Sequence, residues 1–159
     1  MKTFVIADTH FGHNNIAKYS PCRGANNCEH HTEILIDNWN SVVGVKDKVI
    51  CLGDFAFGAK NISIADKLNG RKILIMGNHD HYQSREYLKY FEKLLGSLEY
   101  EGGILTHIPI HESELARYGF NIHGHLHGNK LLDTRYINVS CEQINSTPID
   151  IKLITRINN

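Results

Sequence analysis

At 159 residues the chain has room for one compact domain with a real core and not for two ordinary ones, so a single domain over residues 1–159 is expected. Lys+Arg and Asp+Glu balance at 17 each, which excludes a global positive field of the kind that draws a protein onto extended duplex nucleic acid or an anionic membrane. The eleven histidines make a metal-site composition, while the four cysteines are too few and too irregularly spaced for a disulfide framework. No apolar run approaches a membrane span, and the amino-terminal residues reach Asp8 too soon to build a secretory core. A reducing, cytoplasmic setting is the expectation.

Phe4-Val5-Ile6-Ala7 reads as a buried first strand, and Asp8-Thr9-His10-Phe11-Gly12-His13 as the loop at its exit. If the backbone stays extended, period-two alternation aims Asp8 and His10 to one side, where a carboxylate and an imidazole grip one cation together. His13 and Asn14, just beyond, are candidates to touch a phosphate or a leaving group. Residues 19–31 contain Pro21, Gly24, Asn26 and Asn27 and read as a loop. Cys22, Cys28, His30 and His31 within it do not match structural-zinc spacings, so the stretch is taken as a surface loop bordering the active site. Arg23 in it is a candidate contact for an anionic substrate.

From Thr32, a possible N-cap, the spacing of Ile34, Leu35, Trp39, Val42 and Val43 predicts a helix with one apolar face, ended by Gly44. Val49-Ile50-Cys51-Leu52 reads as the second strand, and Gly53-Asp54 ends it as Asp8 ends the first. Ile62 to Leu68 is expected as a short helix. Lys72-Ile73-Leu74-Ile75-Met76 is the third strand, and it leaves into Gly77-Asn78-His79-Asp80. That turn combines a sharp bend, a neutral amide oxygen, a group that holds or gives a proton near neutral pH, and a carboxylate able to orient the imidazole. A strand end is also where α/β sheets place chemistry.

Tyr87, Leu88, Phe91, Leu94 and Leu95 have helical spacing, which predicts a helix over residues 86–95. Ile104-Leu105-Thr106 is the next strand, with His107 at its end. After one or two helical turns at residues 112–118, Phe120-Asn121-Ile122-His123 leads into Gly124-His125-Leu126-His127-Gly128. His125 and His127 are two apart, so an extended backbone aims both imidazoles the same way, and His123 is assigned a structural role. Residues 136–139 and 149–154 are expected as late strands, the second at an edge.

Strands with helices between them imply an α/β sandwich with most special residues at one rim. Asp8, His10, Asp54, Asn78, His107, His125 and His127 form the collected donor set. Seven oxygen and nitrogen donors are too many for one tetrahedral zinc but suit two neighbouring divalent ions sharing a carboxylate. The absence of thiolate favours manganese, iron, zinc or nickel over a soft metal without choosing among them, and Mn²⁺ is the ion expected first on trial.

The ordered set Asp8-x-His10, Gly53-Asp54, Gly77-Asn78-His79-Asp80, His107 and Gly124-His125-x-His127 resembles the calcineurin-like metallophosphoesterase superfamily. Asn38-Trp39-Asn40 and Asn138-Val139-Ser140 further resemble a small bacterial and bacteriophage branch of it. The resemblance implies an α/β fold, a β-sandwich of two mixed sheets flanked by helices. It implies that Asp8, His10 and His127 hold one metal, that Asn78, His107 and His125 hold the other, and that Asp54 bridges them. A hydroxide between the ions would attack phosphorus in line, with His79 donating a proton to the leaving oxygen and Asp80 orienting His79. The short chain carries no obvious cap, so the expectation is an open-site phosphodiesterase for small nucleotide-like substrates. A phosphomonoesterase on the same site, a non-catalytic metal-binding scaffold and a metal-storing or nucleic-acid-binding module are the alternatives, and oligomeric state is left open.

Overall fold

The computed structural model describes residues 1–155; residues 156–159, the end of the expected domain, lie outside the described residues. Among the described residues nine strands appear in chain order: β1 (Thr3–Ile6), β2 (Lys48–Cys51), β3 (Arg71–Ile75), β4 (Lys93–Leu95), β5 (Leu98–Tyr100), β6 (Gly103–Leu105), β7 (Asn121–His123), β8 (Tyr136–Asn138) and β9 (Ile149–Asp150). The α-helices are α1 (Ile16–Tyr19), α2 (Cys28–Val42), α3 (Ser84–Tyr87), α4 (Leu115–Tyr118) and α5 (Ile151–Thr155), with a 3₁₀ segment at Ala59–Lys67. No helix among the described residues is long and apolar enough to cross a membrane.

The strands form two mixed sheets, ordered β4-β3-β2-β1-β9 and β5-β6-β7-β8. In the first, β1 to β4 run parallel and β9 closes one edge antiparallel; in the second, only β5 is antiparallel. Alternation along β1 and β2 explains the layering, because successive side chains leave a strand on opposite faces. Phe4, Ile6, Val49 and Cys51 point to one side, where they pack with Leu35, Trp39 and Val43 around α2. Val5, Ala7, Ile50 and Leu52 point to the other and meet Leu105, Phe120, Ile122 and Val139 of the second sheet. A sheet buried on both faces needs continuous apolar strands, and these runs supply them.

Three expectations are corrected. The long helix begins at Cys28 rather than Thr32, because the Asn27 side chain accepts from the His30 backbone N–H at 2.8 Å and caps it. Part of the segment read as loop is therefore helix, and Thr32 lies inside it, its hydroxyl donating back to the Cys28 carbonyl. The helix expected over residues 86–95 is one turn, α3, followed by β4. The Lys93 to Leu95 backbone pairs with Ile73 to Ile75, and the ladder offered by an open sheet edge outweighs helical spacing. The stretch 149–154 is a two-residue edge strand that turns directly into α5, whose Ile151 is buried.

The parallel strands of both sheets end at one rim. There the sheets touch: the Ala7 N–H donates to the Val139 carbonyl at 2.9 Å, and the Cys141 N–H donates to the Ala7 carbonyl at 3.1 Å. Loops leaving β1, β2, β3, β6 and β7 are thereby brought within reach of one another.

Candidate metal centre

The loops after β1 and β2 run side by side, with the His10 N–H donating to the Asp54 carbonyl at 3.0 Å and the Phe11 N–H to the Phe55 carbonyl at 2.9 Å. Asp8 and His10 are not extended as expected: both have positive φ, 57° and 49°. Asp54, His125 and His127 share that conformation, with φ of 54°, 67° and 51°. Non-glycine residues enter this region only where the surroundings hold them, and such positions concentrate at functional sites. The side chains two apart converge anyway, through a left-handed turn rather than strand alternation.

Two groups result. One comprises Asp8, His10 and His127, the other Asp54, His107 and His125; within each, the donor atoms lie within 4.8 Å of one another. Asp54 Oδ2 links them, at 3.8 Å from His10 Nε2 and 3.4 Å from His107 Nε2. Asn78 joins the second group, its Oδ1 2.9 Å from His107 Nε2. The close approach of these loops requires glycine at Gly53, where a Cβ would overlap the His107 ring, and at two further turns. A Cβ on Gly77 would overlap the Asp54 carboxylate, and one on Gly124 would overlap Ala7 and Asp8 Oδ2.

These donors fit divalent cations on three observations. Asp8 Oδ1 and His10 Nε2 are buried atoms without a hydrogen-bond partner, and both face the space between the clustered donors, where a bound ion would satisfy them. His107 Nδ1 lies 2.7 Å from the Leu52 carbonyl, which can only accept, so the neutral ring carries its proton there. In that neutral ring Nε2 is bare and faces the oxygens of Asp54 and Asn78, a cluster of lone pairs that calls for a cation, a metal ion or, in the metal-free chain, a proton on Nε2 that hydrogen-bonds Asp54. Electrostatics agree. Burial holds His10 down to about 3 and keeps it neutral, while Asp54, despite burial, is pulled to about 2 by its hydrogen bond and charge interaction with His107. Burial raises Asp8, and the His107 imidazole, which burial would lower, is raised on balance by Asp54. Gathered carboxylates and imidazoles of this kind are the usual grip for a hard or borderline metal.

His79 stands at the mouth with its side chain 45% exposed, Nε2 4.0 Å from Asp54 Oδ2. Its backbone N–H donates to Asp54 Oδ1 at 2.8 Å, and its ring packs against Phe57 at 4.9 Å. Asp80 does not orient that ring. Its carboxylate is buried and accepts three backbone N–H groups, those of Asp54, Phe55 and Gly77, tying the β2 and β3 exit loops together. His13 and Asn14 border a groove of about 700 Å³ that lies between α2 and the Ala59–Lys67 segment and reaches the centre at Phe57. His13 packs edge-on to Phe57, outside both donor groups.

Arg23 is a further correction. It is buried, 5% exposed, and faces inward: it donates to the Asp8 and Thr9 carbonyls and to the Glu142 carboxylate. Its Nη1 also lies 3.0 Å from His31 Nε2, which must accept because a guanidinium only donates. Cys22, Cys28, His30 and His31 do not gather; both cysteines are free, and His31 is engaged with Arg23. His123 is buried with Nδ1 on the Gly124 carbonyl and outside the donor groups.

The sequence reading missed Glu142 and Phe57 and gave no site role to Ser140. The Ser140 hydroxyl donates to Asp8 Oδ2, and Glu142 accepts from His127 Nδ1. Glu142 follows β8 by a few residues, the same strand, turn, acid order that marked Asp8 and Asp54, so a signal existed. For Phe57 there was only its nearness to Asp54.

An α/β sandwich whose strand ends gather two linked carboxylate and imidazole clusters defines a candidate metal centre of the kind suited to phosphoryl chemistry. The chain belongs to the calcineurin-like phosphoesterase family, whose model matches residues 1–153. An uncharacterized protein of Methanocaldococcus jannaschii is 38% identical over 169 aligned residues, covering 98% of this chain and 90% of that one. The gene 66 protein of Mycobacterium phage L5 is 37% identical over 84 residues, 49% of this chain and 39% of its own length. Among solved structures, a protein of unknown function from Aquifex aeolicus superposes with a TM-score of 0.74 at 28% identity, covering 98% of each chain.

Proposed function

We propose that the protein is a phosphodiesterase for small nucleotide-like substrates that works with two divalent ions, Mn²⁺ first among the candidates. The observation that carries this reading is the position of Asp54 Oδ2 between His10 Nε2 and His107 Nε2, with orphaned donor atoms beside it. Asp8, His10 and His127 would hold one ion and Asn78, His107 and His125 the other, with Asp54 shared. Ions bound there would supply an activated water and neutralise the charge that grows on the phosphoryl oxygens.

The chain's own groups supply the rest. The His79 backbone N–H fixes one oxygen of Asp54, which leaves the other free for sharing. The His79 imidazole, half-exposed and braced on Phe57, would deliver a proton from its ring to the leaving oxygen. His13 and Asn14 edge the adjoining groove, where a leaving group would lie. Zero net charge favours a small substrate over long duplex nucleic acid. The free cysteines suit a reducing, cytoplasmic setting.

Hydrolysis of aryl phosphodiesters and monoesters by Mn²⁺-loaded protein tests this reading. Diester cleavage that stops with chelator is expected; cleavage of monoesters alone would make the protein a phosphomonoesterase. His79→Ala is expected to lower kcat by roughly 10²- to 10⁴-fold with metal content unchanged. Unchanged turnover in that variant would remove His79 from the chemistry.

A further inference from the structure

The two candidate cation positions are supported differently. His107 Nδ1 rests against a neutral acceptor, the Leu52 carbonyl, at 2.7 Å. His127 Nδ1 instead lies 3.1 Å from Glu142 Oε1, a carboxylate whose side chain is 4% exposed. That carboxylate is itself immobilised. The Ser20 hydroxyl donates to Oε1 at 2.8 Å, and Arg23 reaches it through Nε at 2.8 Å and Nη2 at 2.7 Å. Arg23 Nη2 also donates to the Asp8 carbonyl at 2.8 Å. One buried ion pair thus joins the Asp8–His10 loop to the His127 loop, the two segments that build the first position. The His127 backbone is pinned as well, its carbonyl accepting from the Asn138 and Gln143 side-chain amides.

Resting on the two-ion reading above, we propose that Glu142 is the positioning residue of the first position. It keeps the His127 proton on Nδ1, turns Nε2 toward Asp8 and His10, and makes this position the tighter of the two. A carboxylate partner strengthens an imidazole ligand more than a carbonyl does, because the hydrogen bond is charge-assisted, and loss of such a partner weakens metal binding about 10- to 100-fold. Neither Glu142 nor Arg23 touches the second group.

Calorimetric titration with Mn²⁺ of the metal-free full chain and of Glu142→Gln tests the assignment. Two binding events are expected in the native chain, the tighter one weakened about 10- to 100-fold in the variant and the weaker one unaltered. His127→Ala should abolish the same event and His107→Ala the other. Long-range ¹H–¹⁵N spectra of the metal-free native chain at alkaline pH, where the ring is neutral and no metal imposes the tautomer, should show His127 protonated at Nδ1, a readout that a merely structural Glu142 would not require. The spectra need no variant, so they decide the matter even if Glu142→Gln fails to fold. A proton on Nε2, or a variant in which both events or neither change, overturns the role of Glu142. A native chain that binds fewer than two ions overturns the two-ion reading itself, a failure distinct from two ions bound with the variant unaffected.

Discussion

Asp8, His10, Asp54, His125 and His127 all carry left-handed backbone conformations, which cost a non-glycine residue roughly 1–3 kcal/mol each. Such residues persist only when neighbouring groups over-determine them. Asp80 is one of those groups at Asp54, because its carboxylate collects the Asp54, Phe55 and Gly77 N–H groups. Asp80→Ala would leave these buried donors unpaired and is expected to lower stability by about 1–3 kcal/mol or more, read from urea unfolding. Because it loosens Asp54, metal binding should weaken with it. A variant as stable as the native chain with unaltered metal affinity would count against this role.

His31 argues at the same scale for a pH effect. Burial first, and then the adjacent Arg23 charge, hold its imidazole down to about 4 from an ordinary 6.5. The unfolded chain therefore takes up this proton before the folded one does. The stability His31 contributes is complete above pH 6.5 and is lost as pH falls toward 4, a change of roughly 3 kcal/mol. Thermal unfolding of metal-free protein across that window should show the decline. His31→Gln, which keeps an acceptor for Arg23 without titrating, should flatten it, and an identical slope in both proteins would contradict the assignment.

Among elements, α2 shows how a local signal competes with a periodic one. The apolar spacing began at Ile34, but helix onset is set by where the first N–H groups find acceptors, and Asn27 provides one. Asn27→Ala should cost about 1 kcal/mol, a Tm drop of about 2–4 °C by calorimetry, with activity retained because no donor to the centre leaves α2. A larger loss would mean that the 19–27 segment, and with it Arg23, depends on the cap. The β4 misreading has the complementary cause. Leu94 and Leu95 fit helical and strand spacing alike, and a free edge on β3, invisible to a local pattern, selected the strand.

For the molecule as a whole, the cations would act as cross-links between the two sheets, since Asp8 and Asp54 come from one and His107, His125 and His127 from the other. Anything that binds only the folded state stabilises it by mass action, by about 2.7 kcal/mol at a hundredfold excess over Kd. Mn²⁺ should therefore raise Tm in a concentration-dependent way and chelator should reverse it. A Tm indifferent to divalent ions would argue against the centre described here.

The strands β1, β2, β3, β6 and β7 and the candidate donors at their ends were legible in the linear chain, because buried strands are local apolar runs and each of these donors follows one. Strand ends advertise themselves through composition. What lay on the far side of those donors was decided only by tertiary structure. Arg23, read as facing substrate, is turned inward by Glu142, a residue 119 positions away, and Asp80 is claimed by backbone amides of the neighbouring loop rather than by the adjacent His79. Hydrogen-bond partners are chosen by proximity in space and by the cost of leaving a buried group unpaired, and neither quantity exists until the two sheets have closed on each other.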